Sequence, residues 1–369
     1  MRVRIFTFFI IILAALTLTG CWDTYEISNH TIATLIGVDK VENKVKLYLE
    51  YKPPHAQLPN TNVGSGKIST VLIGDGNNFA EARNSYLRKS SNDVYLGAVR
   101  VIIFSDNYAK NGIEEYLNRI RGIREYRKTV PLFTTNEKLE RLFDANALNT
   151  DNVGFDIKHM SSQLDKNGID YVQVIRTILE NVQVKNTGYL LSNLGIVEKK
   201  IGVTGYSVFK DNKKVGNIPA NKMKGNNYIL INNADGEYTI DFDGTAVAIA
   251  PTLQKRKITV DYDNGNITFN LKISLNCEII NTSKKMKIDN EKMIKLGEIL
   301  SNKVKEDISK AIKTSQTEYG CDYLNFFEYF RAKYNSDFKT MNWNEKYKEA
   351  KFNIDVMSKV QPGNLINFN

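Results

Sequence analysis

The chain is 369 residues long, with 50 lysines and arginines against 41 aspartates and glutamates, a net charge of +9. Its 42% apolar and 25% charged residues supply enough material for packed cores, which excludes an intrinsically disordered chain, and the length suggests two or three domains. Three cysteines are too few for a disulfide framework, and the basic excess comes without a nucleic-acid-binding motif, so attraction to an anionic membrane surface is the simpler reading and nucleic acid is not expected as a partner.

The first element is a leader. Arg2 and Arg4 precede an apolar stretch from Ile5 to Leu18, shorter than the roughly 20 residues a spanning helix needs, so residues 1–20 read as a signal peptide. Leu18-Thr19-Gly20-Cys21 then has the form of a bacterial lipobox. Only a thiolate forms the thioether to diacylglycerol, and small flanking side chains admit the processing enzymes. Cys21 is therefore the expected lipidation site and the expected first residue of the mature chain. Two or more acyl chains of the palmitate type, at about 0.8 kcal/mol per buried CH₂, hold a protein on a bilayer without crossing it.

Past the leader, strand-like runs from Ile32 to Tyr51 flank a polar turn at 39–44, a hairpin signal. "KISTVLIGDG" is a further strand, and "NNFAEARNSYLRKS" a helix with Phe79, Ala82, Tyr86 and Leu87 on one face. "VRVIIFS" reads as a fully apolar strand, "YAKNGIEEYLNRI" as one helix, "TVPLFTT" as a strand and "EKLERLF" as a short helix. Strands alternating with helices predict an α/β domain over 21–150.

A middle domain is expected over 151–240. It opens with two helical patterns, the second carrying Tyr171, Val174, Ile175, Ile178 and Leu179, and continues in short strands that include a hairpin in "GYSVFKDNKKVGNIP" turning at Asp211–Lys214. The last domain, 241–369, holds the clearest hairpin, "KITVDYDNGNITFNLKISL" around Asn264-Gly265. Ile267, Phe269, Leu271, Ile273, Leu275, Cys277 and Ile279 form an unbroken alternating apolar series, which makes Cys277 a packing residue first. A long amphipathic helix follows over about Asn290–Thr314, its stripe of Met293, Leu296, Leu300, Val304, Ile308, Ala311 and Ile312 suited to packing on a sheet. "KFNIDVMSKV", with Phe352, Ile354 and Val356 in alternation, closes the domain as a strand. The fold class is thus mixed α/β or α+β, ending in a β-sheet packed against one long helix.

Reaction chemistry finds little material. "GSGKIST" fails as a phosphate loop, since Thr61 stands five residues before Gly66 and Ile68 follows Lys67; "GDGNNF" carries Phe79 where a dinucleotide fingerprint needs its third glycine. His30, His55 and His159 are too dispersed for a zinc site, and no G-x-S-x-G is present. Asp241 and Asp243 alternate onto the solvent face of a strand, and the basic run "RIRGIREYRK" at 119–128 reads either as a solvated helix end or as a face for lipid headgroups. No catalytic, cofactor-binding or metal-ligating residue is assigned, and no cofactor is expected.

Three stretches carry a likeness. "CWDTYEI" behind the lipobox, "GYSVFKDNKKVG" at 205–216 and "SQTEYGCDYLNFFEYFRAKY" with "MNWNEKY" toward the end resemble the Ger(x)C family, the C subunits of spore germinant receptors. The matching positions are Trp22, Asp23, Glu26 and Ile27, then Val208, Phe209, Val215 and Gly216, then Gln316, Asp322, Phe327, Trp343 and Tyr347. Cys321 departs from the family pattern, and whether it pairs with Cys277 is open. The resemblance implies a three-domain lipoprotein, not an enzyme, on the outer face of the spore inner membrane. Its implied partners are the integral membrane A and B subunits of the receptor. Germinant binding is associated with the B subunit, so direct binding by this chain is not expected. Trp343 is a candidate interface anchor, or else a cap on the core. The alternative function is a solute-binding lipoprotein of a transporter, which would show two similar α/β lobes around a cleft; an exported hydrolase lacks a nucleophile and base at any recognised spacing.

Overall fold

The computed structural model describes residues 30–52, 69–144, 150–286 and 288–361, so the leader, Cys21 and His55 lie outside the described residues. β1 (His30–Val41) and β2 (Lys44–Lys52) form the expected hairpin. Glu42 and Asn43 both take positive φ there, the conformation that matches strand twist in a two-residue turn. β3 (Thr70–Gly76) adds antiparallel to β2. α1 (Phe79–Leu87) starts at a reciprocal cap: Asn78 Oδ1 accepts from the Ala80 and Glu81 amides, and Glu81 reaches back to the Asn77 amide.

β4 (Asp93–Tyr95) and β5 (Val101–Ser105) both run parallel to β1, and β6 (Leu132–Thr135) runs parallel to β5. Every residue of β5 is buried, Ile102 and Phe104 on one side of the sheet and Val101 and Ile103 on the other, as befits a parallel strand covered on both faces. The single helix expected over "YAKNGIEEYLNRI" is two, α2 (Asp106–Asn111) and α3 (Glu114–Gly122). The break falls at Gly112, whose φ of +117° no other residue adopts without strain. α4 (Leu139–Leu142) and α5 (Val153–Lys166) cover the second face of the sheet. α6 (Ile175–Asn181) starts later than its apolar pattern suggests: Tyr171 and Val174 belong to the extended segment before it, where Val174 bridges Pro131.

β7 (Gly188–Val197), β8 (Lys200–Lys210) and β9 (Lys213–Pro219) complete one nine-stranded sheet, with path β3-β2-β1-β5-β6-β7-β8-β9 and β4 beside β1. The 205–219 hairpin turns on Asp211 and Asn212 alone, both at positive φ, so Lys213 and Lys214 already belong to β9. The sheet runs through the division expected at residue 150: Thr134 and Thr135 of β6 pair with Asn193 and Leu194 of β7.

After α7 (Lys224–Leu230), a helix with no apolar periodicity to announce it, a second sheet forms from β10 (Tyr238–Phe242), β11 (Thr245–Asp263), β12 (Asn266–Thr282) and β13 (Lys351–Gln361), in that order. The β11–β12 hairpin turns on Asn264-Gly265, and β13 pairs parallel with β12. α8 (Asn290–Lys313) lies on this sheet. Leu296, Leu300, Val304, Ile308 and Ile312 share one core with Ile267, Phe269, Leu271, Ile273, Leu275, Cys277 and Ile279. Gly297 lets the helix approach β13, since a Cβ there would sit 2.6 Å from the Ser358 carbonyl oxygen. Leu190, Tyr206, Val208 and Ile218 of β7–β9 join the same core, so the two sheets are packed through it.

Candidate functional site

Of the residues that carried the likeness, Trp22, Asp23, Glu26 and Ile27 lie outside the described residues, whereas Gln316, Asp322, Phe327, Trp343 and Tyr347 gather just past the end of α8. The helix runs on into a π-helical turn, Thr314–Glu318, and a loop leads to three short helices, α9 (Phe326–Lys333), α10 (Asn335–Thr340) and α11 (Trp343–Glu349). Asp322 stands in that loop, fully buried. Its Oδ1 accepts from the Leu324 and Phe326 amides at 3.1 and 3.2 Å, and its Oδ2 from the Phe327 amide at 2.6 Å and Trp343 Nε1 at 3.0 Å. Asn325, which precedes α9, makes no side-chain cap, so Asp322 satisfies the first free amides of that helix in its place. Burial pushes the Asp322 carboxyl up to about 6 while the Trp343 indole and the three amides pull against it.

Neighbouring residues lock the same joint. Gln316 Nε2 donates to the Tyr347 and Ala350 carbonyls at 2.8 and 2.9 Å, and the Tyr347 hydroxyl meets Ser315 Oγ at 2.5 Å. The Gly188 amide donates to the Asp322 carbonyl at 3.0 Å, fastening the loop to β7. On β9, Gly216 leaves room for the Tyr319 ring, whose hydroxyl donates to the Asn217 carbonyl at 2.9 Å. Val208 and Phe209 are buried in β8, whereas Val215 is exposed. Trp343 is 1% exposed and packs on Phe330 and Phe338 at ring distances of 5.0 and 5.6 Å. It caps the core and is not an exposed interface anchor, because the Asp322 carboxylate draws its N–H inward.

Cys277 and Cys321 are both buried and both free, so they do not pair. Cys321 rests against Gly188, where a Cβ would come within 2.9 Å of its sulfur. Asp241 and Asp243 are both exposed, Asp241 on β10 as strand alternation predicts, but Asp243 in the turn that follows, at positive φ. The 119–128 run is a helix end tied to backbone: Arg121 donates to the Leu179 carbonyl, Arg127 to that of Val99 and Lys128 to that of Ile120. His30 lies on β1 and His159 on α5, and among the described residues no group of three or more His, Cys, Asp or Glu is placed to hold a metal ion. The side chains of Ser315, Gln316, Asp322, Trp343 and Tyr347 are spent on one another and on the backbone of the joint.

Two buried acids outside the joint are not announced by any sequence motif. Glu50 of β2 accepts from the Val153 and Gly154 amides at 2.7 and 2.8 Å and from Ser69 and Thr34 hydroxyls at 3.0 Å, pinning the start of α5 to the sheet. Burial raises its carboxyl pKa against those four donors. The available signal was positional, since alternation with Leu47 and Leu49 turns Tyr48 and Glu50 to the other covered face. Asp170, between α5 and α6, is the second.

A family model described as spore germination protein N-terminal domain matches residues 23–190, and one described as spore germination B3/GerAC like, C-terminal, matches 204–362. The chain is 24% identical to spore germination protein GerQC of Bacillus cereus, over 80% of this chain and 84% of that one. It is 21% identical to spore germination protein KC of Bacillus subtilis (strain 168), over 92% and 90% of the two chains. The crystal structure of the GerBC protein shares the fold, with a TM-score of 0.59 at 17% identity over 88% of this chain and 96% of that chain. With both family models matched in order and the fold shared, the chain belongs to the Ger(x)C family of spore germinant receptor C subunits.

Proposed function

We propose that the chain is the lipid-anchored C subunit of a nutrient germinant receptor, acting as a scaffold or coupling subunit and not as an enzyme. In this reading residues 1–20 are removed, Cys21 carries the acyl chains, and the folded part rests on the outer face of the spore inner membrane beside integral A and B subunits. The observation that carries the reading is the ordered match to spore-germination models over 23–190 and 204–362, directly behind a lipobox. Among the described residues no helix is long and apolar enough to cross a membrane, so in this reading the lipid supplies the attachment. A tethered chain meets bilayer partners at a high effective concentration, and a modest interface then suffices. The buried Asp322–Trp343 joint supports the scaffold role, because it fixes how the terminal helices sit on both sheets.

Deleting the gene tests this. Germination in response to a particular set of nutrients should be lost with sporulation intact, and affinity capture of the tagged chain from spore membranes should recover two multi-span subunits. Normal germination across a broad nutrient panel, in a strain with no related receptor to substitute, overturns the reading.

A further inference from the structure

A cavity of about 680 Å³ lies between α5 and β8 on one side and α7, β11 and β12 on the other, within the size range of small-molecule sites. Its walls are mostly apolar, formed by Leu164, Ile169, Val203, Met223 and Ile280. Ile169 and Ile280 are about half exposed at its rim, at 47% and 51%. Asp170 lines this cavity and is itself 1% exposed.

Asp170 is incompletely satisfied. Its Oδ2 accepts from Ser192 Oγ at 2.8 Å, but Oδ1 accepts no hydrogen bond among the described residues. The Tyr206 hydroxyl and the Tyr171 amide lie close enough to favour the Asp170 carboxylate, but the hydroxyl donates to Asn227 Oδ1 at 2.7 Å and the amide to that hydroxyl at 2.8 Å, and neither fills Oδ1. A buried carboxylate oxygen without a donor costs free energy that a ligand donor would restore. Lys224, the cation of the cavity wall, does not supply it: its ammonium donates to the Glu237 carbonyl and lies 4.3 Å from the centre of the Tyr238 ring. Asp235 and Glu237 also line the cavity, leaving it acidic in a chain whose net charge is +9.

We propose that this cavity is a binding site for a small organic ammonium, with the cationic N–H groups on Asp170 Oδ1 and the apolar body against Leu164, Val203, Met223 and Ile280. The pairing supplies a charge-assisted hydrogen bond inside a partly desolvated pocket, where such bonds are strongest. It is independent of the receptor assignment, since it rests on the cavity alone.

The test is calorimetric titration of the full-length chain in nanodiscs, with empty nanodiscs subtracted, using hexylamine, 2-phenylethylamine and tryptamine against hexanol, 2-phenylethanol and tryptophol. At least one amine should bind saturably, and at least tenfold more tightly than its matched alcohol. Asp170→Asn, which keeps the shape and removes the charge, should bring that amine to the level of the alcohol. Ala250→Phe, on the half-buried outer face of β11, should fill the cavity and abolish binding of both. Saturable binding by none of the amines, equal affinity for amine and alcohol, or undiminished binding by either variant overturns the proposal. If Asp170→Asn does not fold, the amine-to-alcohol ratio of the wild type and the Ala250→Phe result still decide it.

Discussion

Asp322 and Trp343 stand 21 residues apart in sequence, yet the indole Nε1 donates to the carboxylate Oδ2 at 3.0 Å, with both side chains out of reach of water. The carboxylate holds four N–H donors at once, three from the backbone that begins α9 and one from α11. Trp343→Phe should keep most of the packing on Phe330 and Phe338 while leaving one carboxylate lone pair unfilled, at a cost of about 1–3 kcal/mol. Asp322→Asn places an NH₂ group among N–H donors and should cost more than Trp343→Phe. Urea melts measure both; a Trp343→Phe loss under about 0.5 kcal/mol would show that the bond contributes nothing to the joint.

Two glycines separate close approach from open space. A Cβ on Gly225 of α7 would overlap the Asp307 carbonyl oxygen of α8, a backbone group that cannot step aside. Gly225→Ala should therefore cost about 1–3 kcal/mol through overpacking. Gly122, in the last turn of α3, has nothing within 4 Å of the place an alanine methyl would take. Gly122→Ala should stabilise by about 0.5–1 kcal/mol through helix propensity and a less flexible unfolded chain. Thermal melts of the pair should move in opposite directions.

The first of these glycines shows why parts of the fold were not legible. α7 contains Gly225, Asn226 and Asn227, poor helix formers with no apolar stripe; it is helical because it packs on α8, a contact no local pattern encodes. The break between α2 and α3 was hidden because apolar residues continue on both sides of Gly112. By contrast, the Asn264-Gly265 turn, the alternating face of β12 and the stripe of α8 are local signals with one structural solution each, and all three stand as expected. Trp343 was ambiguous because its neighbours in sequence are polar, while the group that draws it inward, Asp322, is remote in the chain. Asp170 was invisible for the same reason: its burial comes from elements that meet only in the folded molecule.

The pH dependence of stability follows from the buried acids. Burial lifts the carboxyls of Asp170 and Asp322 to about 6, and those of Glu50, Asp165 and Glu328 in the same direction. An acid whose folded pKa exceeds its unfolded value of about 4 binds its proton more tightly in the native state. The stability this contributes is complete below pH of about 4 and is lost as the pH rises through about 6. Glu140, held down to about 2 against its burial by the Tyr48 hydroxyl and Lys46, acts in the opposite sense at lower pH. Asp170→Asn should remove on the order of 2–3 kcal/mol of the decline between pH of about 4 and 7. Urea melts across that range would show parallel wild-type and variant curves if Asp170 were not the group responsible.

The cysteines offer a test that joins the fold to the anchor. Burial pushes the Cys277 and Cys321 thiols up to about 12, so almost no thiolate exists at neutral pH, and neither side chain is reachable in the native protein. The native chain should resist iodoacetamide. Because both thiols are free, denaturation without a reductant should expose both to labelling; failure of either to react would reveal a disulfide. The proposed lipid consumes the third thiol, at Cys21, so protein purified from membranes should take up label at Cys277 and Cys321 and at no other position. Cys21→Ala should leave that labelling pattern unchanged while moving the chain out of the membrane fraction or blocking removal of the leader. Peptide mass mapping of the denatured, labelled protein reads the outcome directly, and carbamidomethylated Cys21 on stably membrane-bound wild-type chain would refute lipid attachment at that residue.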